Sequence, residues 1–268
     1  MMYQLDPAWF RSKTAVVTGA SSGIGLEMAK LLVSAHSRVI VCARDKGRLD
    51  AGVAVLKALN AGEVIGITAD LAVPSERQDM IRRIQALGPV DILINNAGFG
   101  YMGDFISMPK VRMVEMQAVN MMALSELAQA FMAPMKERRS GGILNVGSVA
   151  SFFPTPGSSF YAASKYFVRG LTEGLHAELS SYGIHVTGLY PGVTMTGFLR
   201  RATDGRKDQW PKAMTPALVA YSGLEGLRQN KVRVIPGLVN QAMVLVANLM
   251  PAAWFLSITG KRKTTEVR

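Results

Sequence analysis

Three side chains have the types and spacing of a proton-transfer site. Ser148 closes an apolar run, Tyr161 follows it, and Lys165 stands one helical turn beyond Tyr161. Residues i and i+4 share a helix face. A free phenol, with a pKa of about 10, carries protons poorly at neutral pH. A neighbouring ammonium favours the phenolate, so the spacing predicts that Lys165 lowers the pKa of Tyr161 and readies it to exchange a proton with a carbonyl or alcohol oxygen. Ser148 offers a hydroxyl to the same oxygen. A Tyr-x-x-x-Lys spacing is common by itself and gains meaning from what surrounds it.

Upstream, Thr18–Gly25 reads TGASSGIG, between an apolar run, Lys13–Thr18, and LEMAKLLVSA, whose apolar residues recur at helical spacing. This is strand, glycine-rich turn, helix. The glycines let the backbone approach a pyrophosphate, and the helix directs its first N–H groups at the anion. A second strand, Arg38–Cys42, completes a βαβ unit and ends in Ala43, Arg44 and Asp45. An NAD site usually places an acid there, on the ribose 2′-hydroxyl. Arg44 suits a 2′-phosphate instead, so NADP(H) is favoured over NAD(H), with Asp45 placed to offset or pair with Arg44. Asp70 is read as a hydrogen-bond acceptor for the adenine amino group, or as a helix cap.

The remaining elements follow the same alternation. Helices are expected over Lys46–Asn60, over Ser75–Leu87 with Ser75 as cap, over Lys110–Arg138, over Phe160–Ser181, and from Thr215-Pro216 to about Arg228. Further strands are expected at Val64–Thr68, Asp91–Ile94, Gly142–Val146, His185–Tyr190 and Val232–Ile235. The reading is an α/β fold: one doubly wound parallel sheet, a Rossmann fold of about seven strands with helices on both faces, in one domain over 1–268. Every unusual residue then falls at the carboxyl edge of the sheet, where such folds bind ligands. His36 stands where a helix needs a C-terminal stop, and predicts an alternative cap.

On TGASSGIG, Asp70, NNAG (Asn95–Gly98), Asn120, Ser148, YAASK (Tyr161–Lys165) and PGVTMT (Pro191–Thr196), the chain resembles the short-chain dehydrogenase/reductase family from about Lys13 to Thr196. The resemblance implies catalytic roles for Asn120, Ser148, Tyr161 and Lys165. Asn120 would hold a water in a relay through Lys165, Ser148 orient a carbonyl, Tyr161 exchange its proton, and Lys165 bind ribose. It implies a cofactor site of Gly19, Ser21, Ser22, Gly23, Ile24, Gly25, Arg44, Asp70, Leu71, Asn96, Ala97, Gly98, Tyr161, Lys165, Pro191, Gly192, Val193, Thr194 and Thr196. The implied reaction passes hydride between nicotinamide and a substrate carbon. His36 departs from a frequent family glycine. Ser22 stands where some NADP-using members carry a basic residue. A second reading, a nucleotide-binding, membrane-associated sensor without turnover, predicts a missing catalytic residue, and none is missing.

With 268 residues, 49% of them apolar, a sizeable core is available. The lone cysteine, Cys42, lies in an apolar run and reads as a buried structural thiol. With no signal-peptide pattern, this fits a cytoplasmic setting. His36, His176 and His185 lack metal-ligand spacing, so no metal is expected. The net charge is +11 and its excess is concentrated after Tyr190. That favours anionic partners, namely a phosphorylated cofactor, an acyl-carrier or coenzyme A conjugate, or a membrane surface. No motif points to nucleic acid.

The region 195–230 reads as a substrate lid, with Phe198, Leu199 and Trp210. With Phe152, Phe153, Pro154 and Pro156 it predicts an apolar pocket with a cationic rim, for a lipid-like ketone, keto-acyl or steroid substrate. Residues 234–260 carry no charge and precede Lys261-Arg262-Lys263. Self-association as a homodimer or homotetramer, or pocket closure, ranks first for this segment. A peripheral membrane contact ranks second and a span last, since prolines and amides interrupt it.

Overall fold

The structure is a computed structural model that describes residues 3–203, 205 and 213–260. After a short helix α1 (Pro7–Phe10), strands and helices alternate: β1 (Thr14–Thr18), α2 (Gly23–Ser34), β2 (Arg38–Ala43), α3 (Lys46–Lys57), β3 (Val64–Thr68), α4 (Pro74–Ala86) and β4 (Ile92–Asn95). Then come α5 (Lys110–Gln117), a π-helical turn (Ala118–Ala123), α6 (Leu124–Arg138), β5 (Gly141–Val146), α7 (Ser159–Ser180), β6 (Ile184–Leu189), α8 (Phe198–Ala202), α9 (Pro216–Arg228), β7 (Arg233–Val234), α10 (Leu238–Leu249) and α11 (Ala252–Gly260).

The seven strands form one parallel sheet in the order β3-β2-β1-β4-β5-β6-β7. Strands buried on both faces need continuous apolar runs, and β4 and β5 are buried at every residue. One core joins α2, α3 and α9 to the sheet through Met28, Leu32, Leu49 and Leu224. The other joins α4, α6 and α7 through Met80, Ile84, Phe131 and Leu175. The strand order reverses between β1 and β4, which opens a crevice at their carboxyl ends.

Several expectations shift locally. Helix α4 starts at Pro74, so Ser75 lies inside it and caps nothing. Proline presets the backbone of a first helical position and lacks the N–H that would need a cap. Glu76 instead turns back to accept the Asp70 backbone N–H at 2.7 Å. His36 does supply the alternative cap: at φ +62° it closes α2, with Ser37 N–H on Leu32 O and His36 N–H on Val33 O. Its Nδ1 sits 2.8 Å from Ala61 O, tying the cap to the next loop.

The lid range divides. Its first part, including α8, is closed off by a bridge between Thr194 and Met214. Helix α9 packs in the main core through Val219, Ala220, Leu224 and Leu227. Its predicted cap holds, since Thr215 Oγ1 accepts the Leu218 N–H. Trp210 and Lys261-Arg262-Lys263 lie outside the described residues.

Candidate active site

Ser148 follows β5 directly, and the turn after it explains its placement. Its Oγ accepts the Ala150 N–H at 3.2 Å, capping a short 3₁₀ turn whose last residue, Ser151, reaches back to the Ser148 N–H. Ser151 Oγ also donates to Lys165 O at 2.8 Å, which docks the start of α7 against the end of β5. The Tyr161 and Ser148 side chains are thereby within hydrogen-bond reach of each other. Lys165 is buried, and its Nζ donates to Val146 O at 2.8 Å.

Asn120 lies on the π-helical turn between α5 and α6. Such a turn inserts a residue into a helix and re-aims one side chain, commonly at a functional site. The Asn120 carboxamide embraces Phe99, accepting its N–H and donating to its C=O, and also donates to Ser164 Oγ at 3.0 Å. Gly98 separates it from the lysine: a Cβ there would lie 3.1 Å from Asn120 Oδ1 and 3.4 Å from Lys165 Nζ. All four predicted catalytic residues are therefore gathered round one loop.

Electrostatics correct one expectation. Burial pushes the Tyr161 phenol up to about 12, against the opposing effect of its hydrogen bond with Ser148. Burial also pulls the Lys165 ammonium down to about 8. Lys165 stands 5.9 Å from the Tyr161 ring centre and spends a donor on Val146, so desolvation outweighs the lowering that the i, i+4 spacing predicts.

The glycine-rich turn is built against NNAG. Asn96 Nδ2 donates to Thr18 O and Gly19 O, and Thr18 Oγ1 accepts the N–H groups of Asn96 and Ala97. Gly19 needs its φ of +65°, and a Cβ on Gly25 would fall 2.4 Å from Asn96 Nδ2. The cradle thus has no room for side chains where backbone must meet a ligand. Behind it, Asn95 Nδ2 donates to Asn145 Oδ1, and Asn145 Nδ2 to Thr172 Oγ1, a buried polar line from β4 through β5 to α7.

A cavity of about 690 Å³ runs from this cradle to Tyr161. Of the predicted residues, Gly19, Ser21, Ser22, Gly23, Ile24, Arg44, Asp70, Leu71, Asn96, Ala97, Gly98, Ser148, Tyr161, Lys165, Pro191, Gly192, Val193, Thr194 and Thr196 line it. Gly25 and Asn120 support it from behind. The donor set and the open cradle fit a nicotinamide dinucleotide. Phe153, Phe198 and Leu199 also line it, with the Phe198 ring 5.6 Å from that of Tyr161. Phe152 is not on this wall: it packs edge-on against Tyr190 in a small separate core.

Three arginines join Arg44 in lining the cavity. Arg48 lies in the first turn of α3, Arg112 in α5, and Arg201 is the last residue but one of α8. Burial and the nearby Arg48 and Arg44 charges all push Arg201 down from the usual guanidinium range. Asp45 does not neutralise Arg44: it caps α3 on the Arg48 N–H and pairs with the Arg48 side chain at 3.2 Å. Arg44 lies 3.5 Å from Asp70, whose other oxygen holds the Ala72 N–H, so Asp70 is both a turn cap and an ion-pair partner. The i, i+4 spacing from Arg44 flags Arg48, and a polar Asn145 inside an apolar strand flags the buried line. Arg201 approaches only through the fold and carries no local signal.

A family model described as short chain dehydrogenase matches residues 13–207. A short chain dehydrogenase of Pseudocercospora fijiensis is 36% identical over 185 residues, which cover 68% of this chain and 60% of that protein. A short-chain dehydrogenase from Sphingobium yanoikuyae, solved in complex with NADPH, superposes with a TM-score of 0.79 at 32% identity, covering 96% of each chain. The bulky-bulky ketone specific alcohol dehydrogenase from Comamonas testosteroni gives a TM-score of 0.76 at 29% identity, over 96% of this chain and 95% of that one.

Proposed function

The chain belongs to the short-chain dehydrogenase family of NAD(P)-dependent oxidoreductases, and on that premise we propose that it is an NADP-dependent reductase of apolar ketones, with Tyr161 as the proton-transferring residue. The observation that carries this reading is the Ser148–Tyr161 hydroxyl pair, set beside buried Lys165 and opening on the same cavity as the glycine-rich turn.

The nicotinamide cofactor, when bound, supplies the hydride. The chain's own residues do the rest. Ser148 and Tyr161 present two hydroxyls to one substrate oxygen, which fixes its position and polarises it. A phenol held near 12 stays protonated throughout the neutral range, which suits it to donate to an oxygen that is gaining negative charge. To Lys165 and Asn120, which flank Gly98, this reading gives the replenishing of that proton, and to Lys165 also the holding of ribose; their approach to Gly98 supports it.

Arg44, Arg48 and Arg201 support the preference for NADP. Asp70 and Asp45 offset Arg44 and Arg48 in part, so Arg201, whose charge both neighbours disfavour, gains most from a dianionic 2′-phosphate, which a bare hydroxyl does not supply. The apolar substrate class is supported by Phe153, Phe198 and Leu199, which line the same cavity as the reacting hydroxyls. For self-association as a homodimer or homotetramer, the exposed Val111, Val114 and Met122 of the α5–α6 stretch supply an apolar face, and light scattering reads the assembly.

The test is NADPH consumption with a panel of aromatic and long-chain ketones beside direct titration of NADPH and NADH. The reading predicts turnover of at least one apolar ketone and tighter NADPH. Equal affinity for the two cofactors would refute the phosphate assignment, and turnover confined to small polar carbonyls would refute the substrate class.

A further inference from the structure

Helices α10 and α11 are amphipathic in the inverse sense. In α10 only Val244 is buried, while Leu238, Val239, Leu245, Val246 and Leu249 are 51–83% exposed. At 100° per residue, Leu238, Leu245 and Leu249 fall on one outward stripe flanked by Val239 and Val246. The polar Asn240 turns toward the body of the protein: its Nδ2 donates to Pro236 O at 2.7 Å and packs against Gly192, a cavity-lining residue. Helix α11 continues the pattern. Trp254 is 67% exposed, while Phe255 faces inward, its ring tilted against that of Phe153 on the cavity wall with centres 5.1 Å apart. A surface helix in water shows the opposite arrangement, so this face is built for an apolar environment.

The charge pattern identifies that environment. Neither helix carries an acidic or basic residue, and α11 is followed at once by Lys261, Arg262 and Lys263. With Arg268, residues 261–268 hold four cations and one acid, Glu266. A second copy of this chain offers the cluster no acidic partner on either helix, whereas an anionic lipid surface offers both hydrocarbon and negative charge. Trp254 is also the side chain that favours the boundary between headgroups and acyl chains. Neither helix reaches across: 12 residues in α10 and 9 in α11 rise about 18 and 14 Å, against about 30 Å of hydrocarbon. No helix among the described residues is long and apolar enough to cross a membrane.

We propose that the outer face of α10 and α11, through Leu238, Leu245, Leu249 and Trp254, docks in the interfacial layer of an anionic membrane, the neighbouring basic sequence adding electrostatic attraction. The inner face of the same helices touches the cavity wall, so docking sets the substrate end of the cavity beside the lipid. This consequence rests on the apolar-ketone reading above and gives such a substrate a route that avoids water.

Flotation of the full chain with phosphatidylcholine vesicles, with and without phosphatidylglycerol, tests it. The wild-type chain is expected to float with the anionic vesicles, and Leu245→Glu/Leu249→Glu to remain unbound while titrating NADPH and unfolding like the wild type. A Lys261→Gln/Arg262→Gln/Lys263→Gln variant is expected to lose on the order of 100-fold in partitioning to anionic vesicles, at about fivefold per charge. Failure of the wild type to float, or unchanged flotation of the double-glutamate variant, overturns the proposal. So does a wild type that leaves vesicles alone and forms a dimer that this variant abolishes. Flotation needs no substrate, so it can succeed where every ketone fails, and the two readings fall separately.

Discussion

The Lys165 ammonium is held by the carbonyl of Val146, 2.8 Å away, at the last residue of the strand that presents Ser148. A buried lysine with one backbone acceptor is only partly compensated for lost hydration, and its pKa falls to about 8. The same contact holds α7 against β5, so geometry and charge at the site share one bond.

That lysine gives stability a pH signature. Its folded pKa lies below the unfolded value, so the folded state bears a penalty below about 8 that lifts as pH rises toward the unfolded value, since unfolding then takes up a proton. Between these limits the lysine's share of the unfolding free energy is expected to rise by up to about 1.4 kcal/mol per pH unit. Urea titrations of wild type and Lys165→Met at pH 7, 8, 9 and 9.5 read the difference; a flat difference would contradict the burial argument. The window stops below the ordinary phenol pKa, above which the raised value of Tyr161 adds a change of opposite sign.

Gly25→Ala is expected to destabilise by about 1–3 kcal/mol, because its Cβ would meet Asn96 Nδ2 at 2.4 Å and Gly19 O at 2.7 Å. Titration should also show weakened cofactor binding as the cradle shifts. Unchanged denaturation and unchanged affinity together would show that the turn yields without consequence.

Asn145→Ala removes the middle of the buried line from Asn95 to Thr172, leaving the Asn95 amide without its 2.9 Å acceptor. About 1–3 kcal/mol of destabilisation is expected, the cost of an unsatisfied buried group. Denaturant melts check it, and neutrality would mean that a neighbouring acceptor takes over.

Arg201→Ala should weaken 2′,5′-ADP by roughly 10- to 100-fold, the range for a lost hydrogen bond between charged groups, while leaving 5′-ADP within about twofold. Isothermal titration reads both ligands directly. Equal losses would place Arg201 on the pyrophosphate, and no loss would remove it from the site.

Much of this was legible in the sequence because its signals are local. Val64–Thr68 reads as a strand from β-branched residues and is one, residue for residue. The Thr215-Pro216 start of α9 is a cap and a proline side by side. The sheet edge gathers Gly19, Asn96, Ser148 and Thr196 because α/β alternation dictates where strand ends lie. Quantities set by distant neighbours were hidden. The phenol of Tyr161 goes up because of what surrounds it, which i, i+4 spacing does not encode. Arg201 meets Arg44 and Arg48 from a helix far along the chain. Ser75 lost its capping role to Pro74, one residue away, where two local signals competed. The uncharged stretch after Val234 announces itself by composition, but only the fold shows that Leu238 and Leu249 point outward and Asn240 inward.

The central claim is that Tyr161 carries the proton. The most direct measurement is the rate of NADPH oxidation by Tyr161→Phe with the best ketone of the panel, alongside NADPH titration of the same variant. Loss of general acid catalysis predicts a fall of about 10²- to 10⁴-fold in kcat with cofactor affinity within a few-fold of wild type. Turnover undiminished by the substitution would contradict the account and move the proton transfer to another group.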